Sequence, residues 1–276
     1  MNAIQKATGG KAMTAENRPS MQQYIKQMEG EIKKALPSVI TPERFTRIVL
    51  SALSTNHALA ATTPQSFLGA MMTAAQLGVE PNTPLGQAYL IPYRNHGVLE
   101  TQFQLGYKGL IDLAYRSGEV STIQAHVVYE HDTFDYSFGL DPQLKHIPAK
   151  SDRGAPIFVY AVFRTKDGGY GFEVMSVDDI RKHAQKFSKS YEKGPWQTNF
   201  EEMAKKTVLK KTLKYAPMKS DFVRAIAQDG TIKTEISDDM FSVPSAVIDA
   251  EDVDYTDIPD SDPATGEVIE EKVAAQ

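Results

Sequence analysis

The chain has 276 residues, enough to bury a full core, and no cysteine, which excludes disulfides, thiolate zinc sites and cysteine nucleophiles together. Its net charge of −5 conceals a division: from Glu235 onward thirteen carboxylates face the single base Lys272, leaving 29 basic and 22 acidic residues in 1–234, a body of +7 and a tail of −12. No window approaches the ~20 apolar residues of a membrane span, and the opening MNAIQKATGGKAMTAENRPS lacks a signal peptide's hydrophobic region, so a cytoplasmic protein without a membrane partner is expected.

Residues 1–20 are small and polar and predict a flexible leader. Ile25, Met28, Ile32 and Leu36 recur at helical spacing and predict a helix over 21–36, weakened by Gly30. Thr41-Pro42 and Thr63-Pro64 each offer an N-cap followed by proline at the first helical position, predicting helices to about Asn56 and to Gly78. In the second of these, Gly69, Ala70, Ala74 and Ala75 imply close packing. Residues 87–94 and 98–105 read as strands joined by Asn95-His96-Gly97, a hairpin turn. A short helix over 107–117 follows, then strands over 120–130 and 133–138. A second hairpin, 156–165 and 170–175, turns at Lys166-Asp167-Gly168-Gly169. Ser176 with Asp179 three residues on forms a capping-box start for the next helix. A lysine-rich helix over 199–215 ends before Pro217, and a short helix is expected over 221–228. The composition beyond Glu235 predicts disorder. The expected fold is α+β: an antiparallel sheet built from hairpins with flanking helices at 21–234, between the leader and the acidic tail 235–276.

The charge within that body is uneven. Residues 205–219, KKTVLKKTLKYAPMK, hold six lysines and no carboxylate. On a helix Lys206, Lys210 and Lys214 align at i, i+4 spacing, where each like-charged pair costs roughly 0.2–0.5 kcal/mol. A polyanion lying along that stripe would relieve the repulsion, and nucleic acid is the first candidate. Lys205 and Lys211 flank it.

Tests for enzyme chemistry give little. No phosphate-binding GxxxxGK[ST] loop, GxGxxG fingerprint or GxSxG elbow occurs, so ATP use is not expected. His126, His131, Asp132 and Asp135 form the best metal-nuclease cluster, but on a strand His126 and His131 point to opposite faces. Binding groups are better supplied. Tyr93, Arg94 and Asn95 crowd the first hairpin, with Gln104 on its second strand. Lys108 and Arg116 sit eight residues apart on the following helix, and Trp196, the only tryptophan, lies in a basic loop. Phosphates attract Lys and Arg, and single strands also accept aromatic platforms. Each has a plainer reading: Tyr93 as a core residue, Trp196 as core or ligand, Arg94 as turn decoration, and the lysines as a solvated face.

Four long strings carry a resemblance: TPQSFLGAMMTAAQLGVEPNTPLGQAYLIPY (63–93), FQLGYKGLIDLAYRSG (103–118), VYAVFRTKDGGYGFEVMS (159–176) and GPWQTNFEEMAKKTVLKKTLKYAP (194–217). In order and spacing they resemble the RecT family of phage and prophage recombinases. The resemblance implies an ATP-independent annealing protein with a β-β-β-α core that binds single-stranded DNA, pairs it through an annealed duplex intermediate, and forms homo-oligomeric rings or filaments. It also implies a partner 5′→3′ exonuclease, and no cofactor. Magnesium would accompany the DNA rather than occupy a protein site. The acidic tail is the expected dock for the exonuclease or a host single-strand-binding protein. A metal-dependent nuclease and a structural phage assembly protein are the alternative classes.

Overall fold

Ser20 opens the first helix through a reciprocal capping box: its hydroxyl accepts from the Gln23 amide at 3.3 Å, and its own amide donates to Gln23 Oε1 at 2.7 Å. The computed structural model describes residues 19–219 apart from 96, 189, 190, 193 and 194, together with three short strands further on. The chain divides into two compact units, Met1–Gly109 with Lys219–Gln276, and Leu110–Met218.

In the first unit α1 (Met21–Gln27) and α2 (Glu29–Ala35) occupy the span predicted as one helix. The chain breaks at Met28, at φ −88° and ψ 0°, close to Gly30, the residue of weakest helix propensity in the run. Ile25, Met28 and Ile32 are buried, as their spacing predicts, while Leu36, the fourth of that series, is half-buried just past the end of α2; Met21 is buried as well. Thr41 and Thr63 cap α3 (Pro42–Thr55) and α5 (Pro64–Leu77), accepting from the amides of Arg44 and Ser66, and Asn56 caps the short α4 (His57–Ala60). Helix α5 is buried along most of its length, its small residues included, and closes on Gly78 at φ 60°.

Strands β1 (Ala88–Asn95) and β2 (Val98–Leu105) form the expected hairpin, in register from Ala88↔Leu105 to Asn95↔Val98. Their Leu90, Phe103 and Leu105 enter the core. Helix α5 is tied to β2 by buried polar groups that satisfy one another: Thr62 and Thr101 hydroxyls lie 2.7 Å apart, and the Thr101 amide donates to Ser66 Oγ at 2.9 Å. Helix α6 (Tyr107–Arg116) starts against the turn before β1. A Cβ on Gly109 would stand 2.2 Å from the Gln87 carbonyl oxygen, so only glycine permits that approach.

Strands β8 (Thr231–Lys233) and β9 (Ser245–Val247) pair with each other, and β10 (Val253–Asp254) pairs with the outer edge of β1 at Asn95 and Arg94. Strands β9 and β10 fall within the tail expected to lack structure. The remainder of that tail, the leader before residue 19 and the helix expected over 221–228 lie outside the described residues.

The second unit is built on β3 (Val120–Tyr129), β6 (Pro156–Thr165) and β7 (Tyr170–Ser176), an antiparallel sheet in the order β3-β6-β7. Alternation along β6 divides its side chains. Val159, Ala161 and Phe163 are buried on one side, and helix α9 (Phe200–Leu213) packs across the sheet. Phe158 and Tyr160 point the other way and meet Phe134 of β4 (Thr133–Ser137), with ring centroids 5.7 Å apart in both cases. Strand β4 pairs with β5 (Gln143–Ile147), a short polar strand that the sequence did not reveal. Phe163 lies over Gly171, its partner across the β6–β7 pair, filling the space a side chain would take. Ser176 caps α7 (Val177–Phe187), accepting from the Asp179 amide at 3.0 Å, and α8 (Pro195–Thr198) leads into α9. The result is the antiparallel, helix-flanked α+β fold read from the sequence.

Two glycine substitutions separate close approach from mere helix weakness. Gly109→Ala should cost about 1–3 kcal/mol through the clash with Gln87. Gly30→Ala, with nothing within 4 Å of the added carbon, should gain about 0.5–1 kcal/mol. Thermal melts of the two variants should shift in opposite directions, and shifts of the same sign would contradict the packing described.

Candidate nucleic-acid interface

Helix α9 buries Ala204, Val208, Leu209, Thr212 and Leu213. At 100° per residue this places Lys206, Lys210 and Lys214 on the opposite side of the helix, as one ridge. Lys214 is exposed at the C-cap, while Lys206, Lys210 and Lys211 are half-buried. Lys210 and Lys211 lie in the last turn and Glu201 and Glu202 in the first, an order that suits the helix dipole at both ends. His183 of α7 is turned towards the same cations: burial first, then Lys211 and Lys214, push its pKa down. Lys205 departs from the ridge. It projects from the buried sector of the helix, 28% exposed, in an ion pair with Glu202.

The other predicted contacts are distributed as follows. Tyr93 is fully buried in the first unit, with its hydroxyl 3.4 Å from Glu100, so it presents no face for stacking. Arg94 is exposed, and the backbones of Arg94 and Asn95 are flanked by β10. Gln104 is exposed on β2 and Lys108 on α6. Arg116, 16% exposed, is ion-paired with Asp112 at 2.6 Å. Trp196 is buried beside Tyr191 and Phe200, with centroids 6.4 and 5.9 Å away, which makes it a core residue of the second unit. The structure thus gathers the lysines of α9 and holds Tyr93 and Trp196 inside.

A second cluster holds two residues that the sequence suggested for a metal, His126 and Asp132, with partners that it did not suggest. At the β3 edge of the second unit a cleft of about 230 Å³ is lined by His126, Tyr129, His146, Arg153, Glu201 and Lys205. Beneath it lies the fully buried Asp132 carboxylate, whose two oxygens accept from five donors: the Tyr129 and Ala149 amides, His146 Nε2, and Nε and Nη2 of Arg153. The Arg153 guanidinium foremost, with His146 and the two amides, holds the Asp132 carboxyl far below the usual carboxylate range. Arg153 also lies 4.1 Å above the Tyr129 ring, and the Tyr129 hydroxyl donates to Glu201 at 2.8 Å. Asp132, seen in the sequence as a metal-ligand candidate, therefore spends its lone pairs on the protein itself. Among the described residues no group of three or more His, Asp and Glu side chains is placed to hold a metal ion, and no helix is long and apolar enough to cross a membrane.

Comparison with known proteins gives this arrangement its context. Residues 43–244 match the model of the RecT family. Protein RecT of Escherichia coli (strain K12) is 39% identical over 232 residues, covering 82% of this chain and 86% of that protein. The uncharacterized protein YqaK of Bacillus subtilis (strain 168) is 30% identical over 235 residues, covering 83% and 80%. The chain belongs to the RecT family. RecT-family membership makes it a protein of DNA recombination and strand annealing in general terms. Both the lysine ridge and the Asp132 cleft fall inside the matched span, whereas α1 and α2 precede it.

The Asp132 network sets a pH dependence. Its folded-state pKa is depressed, so its stabilisation is complete above the unfolded value of about 3.9 and fades as pH falls below it. Asp132→Asn should lower the melting temperature at pH 7 and flatten the further loss on acidification to about pH 3. Parallel curves for variant and parent would contradict this role.

Proposed function

We propose that this RecT-family chain is an ATP-independent single-strand annealing protein of phage-type homologous recombination. It grips single-stranded DNA by the phosphate backbone, leaves Watson–Crick edges open, and pairs complementary strands within a homo-oligomeric ring or filament. One observation carries the reading: Lys206, Lys210 and Lys214 form a ridge on the side of α9 opposite its buried residues. Phosphate contacts of this kind position a strand without reading its sequence, as an annealing protein requires. The burial of Tyr93 and Trp196 agrees with a grip on phosphates rather than on stacked bases. Pairing itself needs no nucleotide hydrolysis, since each stacked step is worth about 1.4 kcal/mol. What the protein adds is relief of repulsion between two phosphate chains. The acidic tail is the proposed dock for a 5′→3′ exonuclease and a single-strand-binding protein.

The test is a titration of a labelled oligonucleotide at several salt concentrations, with EDTA and without ATP. Lys210→Ala with Lys214→Ala should weaken binding and reduce the log–log salt slope by about 0.7 per lysine lost. An unchanged slope would remove the ridge from the interface. In a quenched-fluorophore annealing assay under the same conditions, the chain lacking residues 237–276 should still anneal naked strands, and complete loss of annealing would contradict a tail reserved for partners.

A further inference from the structure

The cleft at the β3 edge is unused by the ridge. Lys205 and Lys206 are consecutive, so their side chains leave α9 about 100° apart. Lys206 joins the ridge, while Lys205 lines the cleft with Arg153 and His126. These three groups come from separate places in the second unit: α9, the segment before β6, and β3.

Their hydrogen-bonding capacity is only partly used: Lys205 Nζ donates to Glu202, which engages one of its three N–H groups. Arg153 commits Nε and Nη2 to Asp132 and to the Val127 carbonyl, and neither N–H of Nη1 makes a hydrogen bond among the described residues. The buried carboxylate thus fixes the guanidinium plane and leaves one end as a forked donor. His146 is spent: Nε2 is bound to Asp132 at 3.0 Å and Nδ1 to the Tyr160 hydroxyl at 3.2 Å. His126 makes one long contact, from Nε2 to Gln124 at 3.4 Å, and its Nδ1 makes none among the described residues.

We propose that this cleft seats one phosphodiester group of a bound strand, with Lys205 and Arg153 Nη1 as permanent cationic donors and the His126 imidazole as a third, titratable one. The proposal rests on the single-strand-binding reading above and adds a second phosphate seat to it. The electrostatics agree. His126 is held below its ordinary pKa, first by burial and then by His146, Lys205 and Arg153, all of them cations or potential cations. The groups facing it are His146 from β5, Tyr160 from β6, Arg153 before β6, and Lys205 and Glu201 from α9. Glu201 is the single carboxylate of the lining, and it accepts from Tyr129. The anions nearby are already engaged, Asp132 by Arg153 and His146, Glu202 by Lys205 and Glu201 by Tyr129. An arriving phosphate adds a negative charge beside His126, and so favours its protonated form.

The test uses the full-length chain and labelled oligo-dT, whose phosphodiesters and bases keep their charge between about pH 5.5 and 7.5, where an ordinary histidine titrates. Affinity should rise about three- to tenfold from the upper to the lower pH, equivalent to shifting the His126 pKa by half to one unit. His126→Gln should abolish the rise, and Lys205→Gln should lower affinity throughout. Lys210→Ala with Lys214→Ala should lower affinity at every pH and keep the rise. A rise that survives in His126→Gln overturns the cleft. An ineffective ridge variant instead overturns the ridge, so the two failures are distinguishable. Should His126→Gln fold poorly, ring resonances of the parent chain decide. Adding oligo-dT should move the His126 titration to higher pH. No movement, or a movement produced by inorganic phosphate and not by oligo-dT, overturns the proposal.

Discussion

The seating of α9 on the three-stranded sheet is the constraint from which the lysine ridge, and with it the proposed interface, follows. Burying Val208, Leu209 and Leu213 contributes about 1.5–3 kcal/mol each. The like-charged pairs Lys206–Lys210 and Lys210–Lys214 oppose this by about 0.2–0.5 kcal/mol each. Burial wins by a wide margin, and Lys210 gains further from its place in the last turn. The helix therefore stands without a bound polyanion, and its repulsive ridge is held ready rather than formed on contact. Arranging the cations before the ligand arrives lowers the ordering cost of binding.

The buried Asp132 carboxylate plays a comparable part for the cleft. It joins the end of β3, the β4–β5 hairpin through His146, and the segment before β6 through Arg153. A buried charge with fewer donors would be a liability, but here five donors satisfy it. The same contacts align Arg153 over Tyr129, which in turn donates to Glu201 on α9. The edge of the sheet, the hairpin and the first turn of the lysine helix are thus linked by one hydrogen-bonded path.

Much of this was legible in the sequence because local chemistry dictated it. Thr41-Pro42, Thr63-Pro64 and Ser176 cap helices as expected, and β1–β2 and β6–β7 close where their turn residues stand. The i, i+4 lysines were placed on one face by their spacing alone; that this face lies opposite the buried one follows from Ala204, Val208 and Thr212 on the other side of the helix. What was hidden depends on distant partners. Strand β5 is short, polar and alternating only weakly, and it becomes a strand by pairing with β4. Asp132 and Arg153 are 21 residues apart, and nothing near either announces the other. Spacing could not say that Tyr93 and Trp196 turn inward, since an aromatic beside basic residues suits a core and a ligand site alike. His126 and Asp132 were noticed as metal-binding types, yet the available signal, histidines beside an acid, did not reveal that the acid was already taken by an arginine.

The central claim is that phosphates lie along the α9 ridge. It is tested most directly by lysine acetylation of the full-length chain, with and without saturating oligo-dT, read residue by residue by mass spectrometry. The account predicts strong protection of Lys206, Lys210 and Lys214 by the oligonucleotide, and little change at exposed lysines outside the interface such as Lys34 in the first unit. Equal modification of the three ridge lysines in the two samples would contradict it.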